Sequence, residues 1–241
     1  EVFPMPSPKT PDNRLLSAIP YLRAGGVVAD IGTDHAYLPI ELCRRGICRR
    51  AVACDINEGP IRAARANIRA AGLSDRIDTL CTDGLHGVEP YAPDDILIFG
   101  MGGELIVRIL CEAPWVRNDR IGLILQPMSR AEILRRYLWE NGFEIRGETL
   151  SRADRLYQTL YARYTGKAET FDEAELLVGR DEFLLASPFA GDFLRQKIAV
   201  LKNVAAGKRA GGADTAYEDR LIASLRNRLD KFQLQPAEET I

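Results

Sequence analysis

At 241 residues the chain has the length of one large domain, or of one domain with a small appendage, and can bury a core without disulfide staples. Hydrophobic residues make up 46% and charged residues 27%, which excludes whole-chain disorder, a collagen-like repeat and a coiled-coil rod. The formal net charge is −2, with 21 basic and 21 acidic side chains in residues 1–165 and 11 and 13 in residues 166–241, so a nucleic-acid surface would have to be a local patch.

No apolar run approaches the roughly 18–20 residues of a membrane helix. The opening Glu1–Pro11 carries four prolines and no apolar segment, so it does not read as a secretory leader. The five cysteines, Cys43, Cys48, Cys54, Cys81 and Cys111, form no CxxC pair, and the histidines are His35 and His86 alone. These counts argue against a disulfide framework and against a structural zinc site. They predict buried, reduced thiols in a cytoplasmic protein without a metal.

In chain order, Val27–Ile31 predicts a first strand and Tyr37–Arg45 a helix with Leu38 and Leu42 on one face. Ala51–Cys54 is a second strand, and Pro60–Ala71 a helix closed by Gly72. Ile77–Cys81 and Asp95–Phe99 are strands, and Glu104–Cys111 is a helix. Gly122–Leu125 is a fifth strand, Arg130–Asn141 a helix, and Glu144–Leu150 and Leu156–Tyr164 are two more strands, expected to pair antiparallel. Five such strands, four of them followed by a helix, predict an α/β fold, a seven-stranded mostly parallel sheet with helices on both faces. This domain is expected over residues 12–165.

Residues 166–236 differ. Leu194, Ile198, Leu201 and Ala205 recur at helical spacing, as do Leu221, Leu225, Leu229 and Phe232, with a Gly/Ala/Lys/Arg linker over Gly207–Ala213. That pattern predicts an antiparallel, coiled-coil-like helical hairpin, either a packing appendage or a substrate-holding arm. Pro236–Ile241 reads as a frayed tail.

Ligands of open α/β sheets bind at the carboxyl ends of the strands. Those positions hold Gly32-Thr33-Asp34-His35, Asp55, Asp83-Gly84, Gly100–Gly103 and Gln126-Pro127. A dinucleotide site would want Gly-x-Gly-x-x-Gly, but after Gly32 the second glycine is replaced by Asp34, a negative charge where phosphate would lie. Asp55, 23 residues beyond Gly32, suits a ribose diol, with an N-cap or turn as the bland alternative. Asp83 could accept from an adenine amino group or simply shape an Asp-Gly turn. An early glycine, a ribose acceptor, an adenine acceptor and no phosphate cradle describe S-adenosyl-L-methionine. Asp30 and Asp34 suit the ammonium of its amino-acid part.

The run Val28-Ala29-Asp30-Ile31-Gly32-Thr33-Asp34-His35-Ala36-Tyr37-Leu38-Pro39, with Gly59-Pro60, Asp83-Gly84-Leu85, Gly100-Met101-Gly102-Gly103 and Leu123-Ile124-Leu125-Gln126-Pro127, resembles the bacterial TrmK family. Its members are class I methyltransferases that modify N1 of adenine 22 in tRNA. The resemblance spans roughly residues 12–235, including the helical hairpin. Two departures stand out: Met128 where the family usually has Asn, and Asp55 where it often has Glu.

The resemblance implies a Rossmann-like fold, S-adenosyl-L-methionine as cofactor and tRNA as partner of a monomer. The cofactor is expected against Asp30, Gly32, Thr33, Asp55, Ile56, Asp83, Gly84 and Gly100. Asp34, His35, Gly100 and Met101 are expected at the reacting centre. For His35 the bland alternative is a polar residue at a helix start. Tyr37 and Tyr157 are candidate walls for an extracted base. Gln126 and Pro127 belong to the substrate side, and Arg14, Lys202, Lys208 and Arg209 to the tRNA backbone, with a solvated helix face as the alternative for the cations. Competing functions are a methyltransferase with another acceptor, a nicotinamide oxidoreductase disfavoured by the missing glycines, and a non-catalytic RNA-binding relative.

Overall fold

The computed structural model describes residues 13–234. The proline-rich opening and the expected tail at Pro236–Ile241 lie outside them. The described residues fall into two compact units, one running to Gly147 and including Ser151–Glu169, the other holding Glu148–Leu150 and the residues from Thr170 onward.

The first unit carries a seven-stranded sheet built from β1 (Gly26–Ile31), β2 (Cys48–Asp55), β3 (Ile77–Cys81), β4 (Asp95–Met101), β5 (Gly122–Pro127), β6 (Phe143–Arg152) and β7 (Leu156–Tyr164), in the order β3-β2-β1-β4-β5-β7-β6. The pairs β1–β2, β2–β3, β1–β4 and β4–β5 are parallel, and β5–β7 is antiparallel. Every residue of β1 and β5 is buried. Strands covered on both faces read as continuous apolar runs such as Gly122–Leu125, and that is why they were visible in the sequence.

Helices cover the sheet: α1 (Asn13–Leu16), α2 (Tyr37–Arg44), α3 (Glu58–Ala70), α4 (Gly103–Cys111) and α5 (Ala131–Glu140). Helices α2 to α5 each bury one apolar stripe, as α3 does with Ile61, Ala64 and Ile68. Between β3 and β4 the chain makes only the single 3₁₀ turn Glu89–Tyr91, because Gly84, Gly87, Pro90 and Pro93 interrupt any helix there.

Two details of the sheet shape its ligand edge. From β1 the chain proceeds outward to β2 and β3, whereas β4 and β5 lie on the other side of β1. The ends of β1 and β4 therefore flank the switch point at which such sheets open a crevice. In addition β4 runs two residues further than the apolar run suggested, with a register shift between Phe99 and Met101 at Gly100, whose φ is +77°. Bulges of this kind re-aim the backbone beside sites.

The second unit contains α6 (Glu173–Val178), α7 (Asp181–Leu184), α8 (Ala190–Ala210) and α9 (Ala216–Leu234). The long helices pack against each other, and Leu194, Ile198, Ala205, Leu221 and Leu225 on them are buried. The expected linker at Gly207 is instead the last turn of α8, which continues to Ala210; Lys208 and Arg209 sit there, where cations favour a helix C-terminus. The two short helices α6 and α7 were not foreseen. Asp172 caps α6 reciprocally with Glu175, and the largely buried Arg228 of α9 reaches back to Asp181 at 2.6 Å and Asp172 at 3.4 Å.

The cysteines are all free, but only Cys43, Cys48 and Cys54 are buried; Cys81 and Cys111 are exposed. Among the described residues, no helix is long and apolar enough to cross a membrane and no cluster of His, Cys, Asp or Glu is arranged to hold a metal ion.

Candidate active site

The end of β1 is held rigidly. The Cys54 carbonyl accepts from the backbone N–H of both Gly32 and Thr33, at 2.9 and 2.8 Å, tying the loop to β2. The Thr33 hydroxyl donates to Asp30 Oδ2 at 2.6 Å and fixes its carboxylate. Burial pushes the Asp30 carboxyl up to about 6; the Thr33 hydrogen bond opposes that, the Asp34 charge adds to it, and Arg14 pulls the other way. Gly32 adopts φ +75°, and a Cβ there would lie 2.4 Å from the Met101 methyl. A glycine is needed at this turn both for its backbone and for the close approach of β4.

The next residues are strained. His35 and Ala36 both take the left-handed conformation, with φ of 56° and 58°, and α2 starts directly after them. Non-glycine residues in that region cost free energy and cluster at functional sites. The Asn67 amide donates to the His35 carbonyl at 3.0 Å and holds the turn. The result exposes Asp34, sets His35 Nε2 at 3.4 Å from its Oδ1, and brings the His35 and Tyr37 rings within 5.6 Å.

A cavity of about 240 Å³ opens at this edge of the sheet, lined by Arg14, Leu15, Asp30, Gly32, Asp34, Leu38, Asp55, Phe99, Gly100 and Met101. It brings together residues predicted from three strand ends. Asp55 is half-buried there, and its Oδ1 accepts from the backbone N–H of Asn57 at 2.7 Å. Ile56, next to it, is 60% exposed, an apolar side chain offered to solvent.

Other predicted residues are placed differently. The Asp83 carboxylate takes two hydrogen bonds from Arg108, at 2.9 and 3.2 Å, which hold it below the usual carboxylate range. Gly84 lies against Ile109. The pair thus shapes a turn and an ion pair, and neither residue is among those that line this cavity. Gln126 is fully buried and Pro127 is also buried. The Gln126 amide nitrogen donates to the Arg14 carbonyl at 3.0 Å and to Thr159 Oγ1 at 2.9 Å, and its oxygen accepts from Arg14 Nη1 at 3.4 Å.

Tyr157 is buried beneath arginines rather than open to a base. Arg14 and Arg155 approach its ring at 5.6 and 5.0 Å, and its hydroxyl donates to Asp154. Arg155 also donates to the Met128 sulfur at 3.5 Å. Sequence reasoning placed Arg14 on a tRNA surface, yet it lines the cavity; no motif spacing links a residue this far upstream to the strand ends.

In the second unit, Lys208 pairs with Glu218 at 2.7 Å and Arg209 with Asp219 at 2.6 Å, clamping α8 to α9 beside their turn. A groove of about 520 Å³ on this hairpin is lined by Lys202, Arg209 and Arg226 with Ala205, Asp219, Ile222 and Ala223. Arg226 was not singled out in the sequence, where it is one charge among many on a polar face.

The fold and the strand-end site define a class: residues 12–160 match a family described as a methyltransferase domain. The chain is 32% identical over 177 residues, covering 73% of each protein, to the tRNA (adenine(22)-N(1))-methyltransferase of Bacillus subtilis (strain 168). It belongs to that tRNA (adenine(22)-N(1))-methyltransferase family. The crystal structure of the B. subtilis m1A22 tRNA methyltransferase TrmK superposes with a TM-score of 0.72 at 28% identity, over 92% of this chain and 96% of that one. The Streptococcus pneumoniae protein Sp1610 in complex with S-adenosyl-L-methionine superposes with a TM-score of 0.79 at 29% identity, over 90% and 99%.

Proposed function

We propose that this chain transfers a methyl group from S-adenosyl-L-methionine to N1 of adenine 22 in tRNA. One observation carries the cofactor assignment: the cavity at the switch point offers three carboxylates, Asp30, Asp34 and Asp55, and no cradle for phosphate. That donor set fits a ligand with an ammonium and a ribose diol. Membership of the family carries the acceptor.

When bound, the cofactor supplies an electrophilic methyl group on a sulfonium that becomes a neutral thioether once the methyl has left. Asp30, held by Thr33, and the exposed Asp34 would take the ammonium; Asp55 would take the ribose hydroxyls; and Ile56 would lie against the adenine ring. Adenine N1 has its own lone pair, so the protein need not remove a proton before attack. The work left to the chain is positioning and exclusion of water. Gly100 and Met101, where β4 bulges, form the wall that faces both reactants. His35 and Tyr37 stand beside Asp34, His35 Nε2 at 3.4 Å from its Oδ1 and the two rings 5.6 Å apart, and the part of the Asp34 charge that reaches the base would stabilise the positive charge developing on it.

The tRNA backbone would be gripped by the helical hairpin, with Lys202, Arg209 and Arg226 as phosphate contacts. Lys208, sequestered by the nearly buried Glu218, is better suited to bracing the hairpin. The enzyme acts as a monomer in the cytoplasm, where its substrates meet.

The test is direct. Protein is incubated with methyl-labelled cofactor and unmodified tRNA transcripts, and the tRNA is digested to nucleosides. Label is expected in 1-methyladenosine. Measurable cofactor binding without label in tRNA would keep the cofactor site and refute the acceptor.

A further inference from the structure

Because β7 runs antiparallel to β5, the turn at residues 153–155 that precedes it returns to the edge where the parallel strands end. The cavity lies at that edge. Arg155 stands on this turn and is tied to the cavity wall. Its Nη2 donates to Met128 Sδ at 3.5 Å, and its guanidinium lies 5.0 Å from the centre of the Tyr157 ring. The Met128 backbone N–H in turn donates at 2.8 Å to the carbonyl of Met101, which lines the cavity.

Arg155 is exposed, yet it makes no ion pair among the described residues. Other exposed arginines are matched: Arg45 with Glu41, Arg65 with Glu58, Arg108 with Asp83 and Arg209 with Asp219. The carboxylate next to it in sequence, Asp154, accepts from the Tyr157 hydroxyl at 2.7 Å instead. Met128, at the position where the resembling family usually has Asn, offers the guanidinium an uncharged and weak acceptor. A thioether and a ring thus hold this cation in place without neutralising it.

A guanidinium so held is fitted to an anion brought from outside, and it loses little freedom on binding. Its planar donors match the oxygens of a phosphodiester. A nucleotide within a tRNA has one such group on each side. To reach the cavity its base must leave the stack, and that brings the adjoining backbone to the rim.

We infer that Arg155 binds a phosphate adjoining the target adenosine and thereby seats the extracted base at the Gly100–Met101 wall, a contact separate from the hairpin's grip on the tRNA. This inference deepens the proposed tRNA reading and rests on it.

A cycle that pairs protein and substrate changes tests it. Transcripts are assembled by ligation with one uncharged methylphosphonate at the phosphate 5′ or 3′ of nucleotide 22, and filter binding is measured with S-adenosylhomocysteine in the cofactor site. The wild type is expected to lose about tenfold in affinity at one of the two positions, the scale of one charge-assisted contact. Arg155→Ala should bind the unmodified transcript about tenfold more weakly, with a salt slope shallower by about one, and should be indifferent to that methylphosphonate. Its affinity for S-adenosylhomocysteine alone should stay within about twofold of wild type. Arg155→Lys keeps the charge but not the fork; it should retain the salt slope and an intermediate methylphosphonate penalty, and it serves if the alanine variant does not fold.

Losses from Arg155→Ala and from the methylphosphonate that multiply at both positions would overturn the assignment. So would an unchanged tRNA affinity in Arg155→Ala, or a loss confined to S-adenosylhomocysteine binding. A wild type that binds S-adenosylhomocysteine but no tRNA would instead refute the acceptor reading beneath it.

Discussion

Gln126 and Arg14, 112 residues apart, hold each other twice: the Gln126 amide nitrogen donates to the Arg14 carbonyl at 3.0 Å, and Arg14 Nη1 donates to the Gln126 oxygen at 3.4 Å. A fully buried side chain at the end of β5 thus sets the position of a short helix over the cavity. Gln126→Leu keeps the volume and removes both bonds. It is expected to cost about 1–3 kcal/mol of stability, because the Arg14 carbonyl and Thr159 lose a buried partner. It should also weaken S-adenosylhomocysteine, the demethylated cofactor, about tenfold, because Arg14 lines the cavity that Gln126 holds it in. A fall in stability with that affinity unchanged would make Gln126 purely structural.

Asp30 trades stability for binding. Its folded-state carboxyl titrates at about 6, above the ordinary carboxylate range, chiefly because it is buried. The folded state therefore binds this proton more tightly than the unfolded chain, and stability falls as pH rises from about 4 to about 6. Above that, the full cost of the buried charge persists. Asp30→Asn keeps the acceptor for Thr33 and removes the charge. Urea unfolding at about pH 7.5 should show it more stable than wild type by about 1–3 kcal/mol, with the gain vanishing near pH 4. Its affinity for S-adenosylhomocysteine should drop at least about tenfold. In the wild type that affinity should rise with pH through about 6, as Asp30 loses its proton.

Gly32→Ala places a methyl group 2.4 Å from Met101 Cε in a backbone that already has φ +75°. Met101 can yield, since its end is flexible, but it would be displaced into the cavity wall. A loss of about 1–2 kcal/mol is expected from the strained φ alone. Cofactor affinity should fall further than in Gly46→Ala, a left-handed glycine with open space around it. Equal behaviour of the two variants would show that the close approach of β4 does not shape the site.

For the hairpin, Lys202→Glu with Arg226→Glu reverses two charges that line its groove and spares the Lys208–Glu218 clamp. Filter binding should show tRNA affinity reduced at least about tenfold, and the dependence of log affinity on log salt should be shallower by about one for each phosphate that is no longer neutralised. S-adenosylhomocysteine binding should be unchanged. An unaltered salt slope would send the search for the tRNA surface elsewhere.

Much of this architecture was legible in the sequence because parallel strands and amphipathic helices leave periodic apolar signatures: Ile77–Cys81 and Leu156–Tyr164 match the observed strands end to end. The strand ends at Asp30, Gly32, Asp34, Asp55 and Gly100 were legible for a related reason, since topology forces them to one edge. What escaped lies in side-chain direction and distant pairing. Asp83 follows its strand as Asp55 does, but Arg108 on α4 captures it. Gln126 looks like a surface polar residue until Arg14, Ser17 and Thr159 surround it. Gly207 looks like a linker residue, yet α8 carries it, because packing of Ala205 outweighs a single glycine's poor helix propensity.

The central claim, that this chain methylates N1 of adenine 22, is tested most directly by primer extension on a tRNA transcript treated with protein and S-adenosyl-L-methionine, since a methyl group at N1 blocks Watson–Crick pairing. A cofactor-dependent stop at position 22, absent from a transcript carrying guanine there, is the predicted result. A stop at another adenine, or full-length extension from a protein that binds the cofactor, would contradict it.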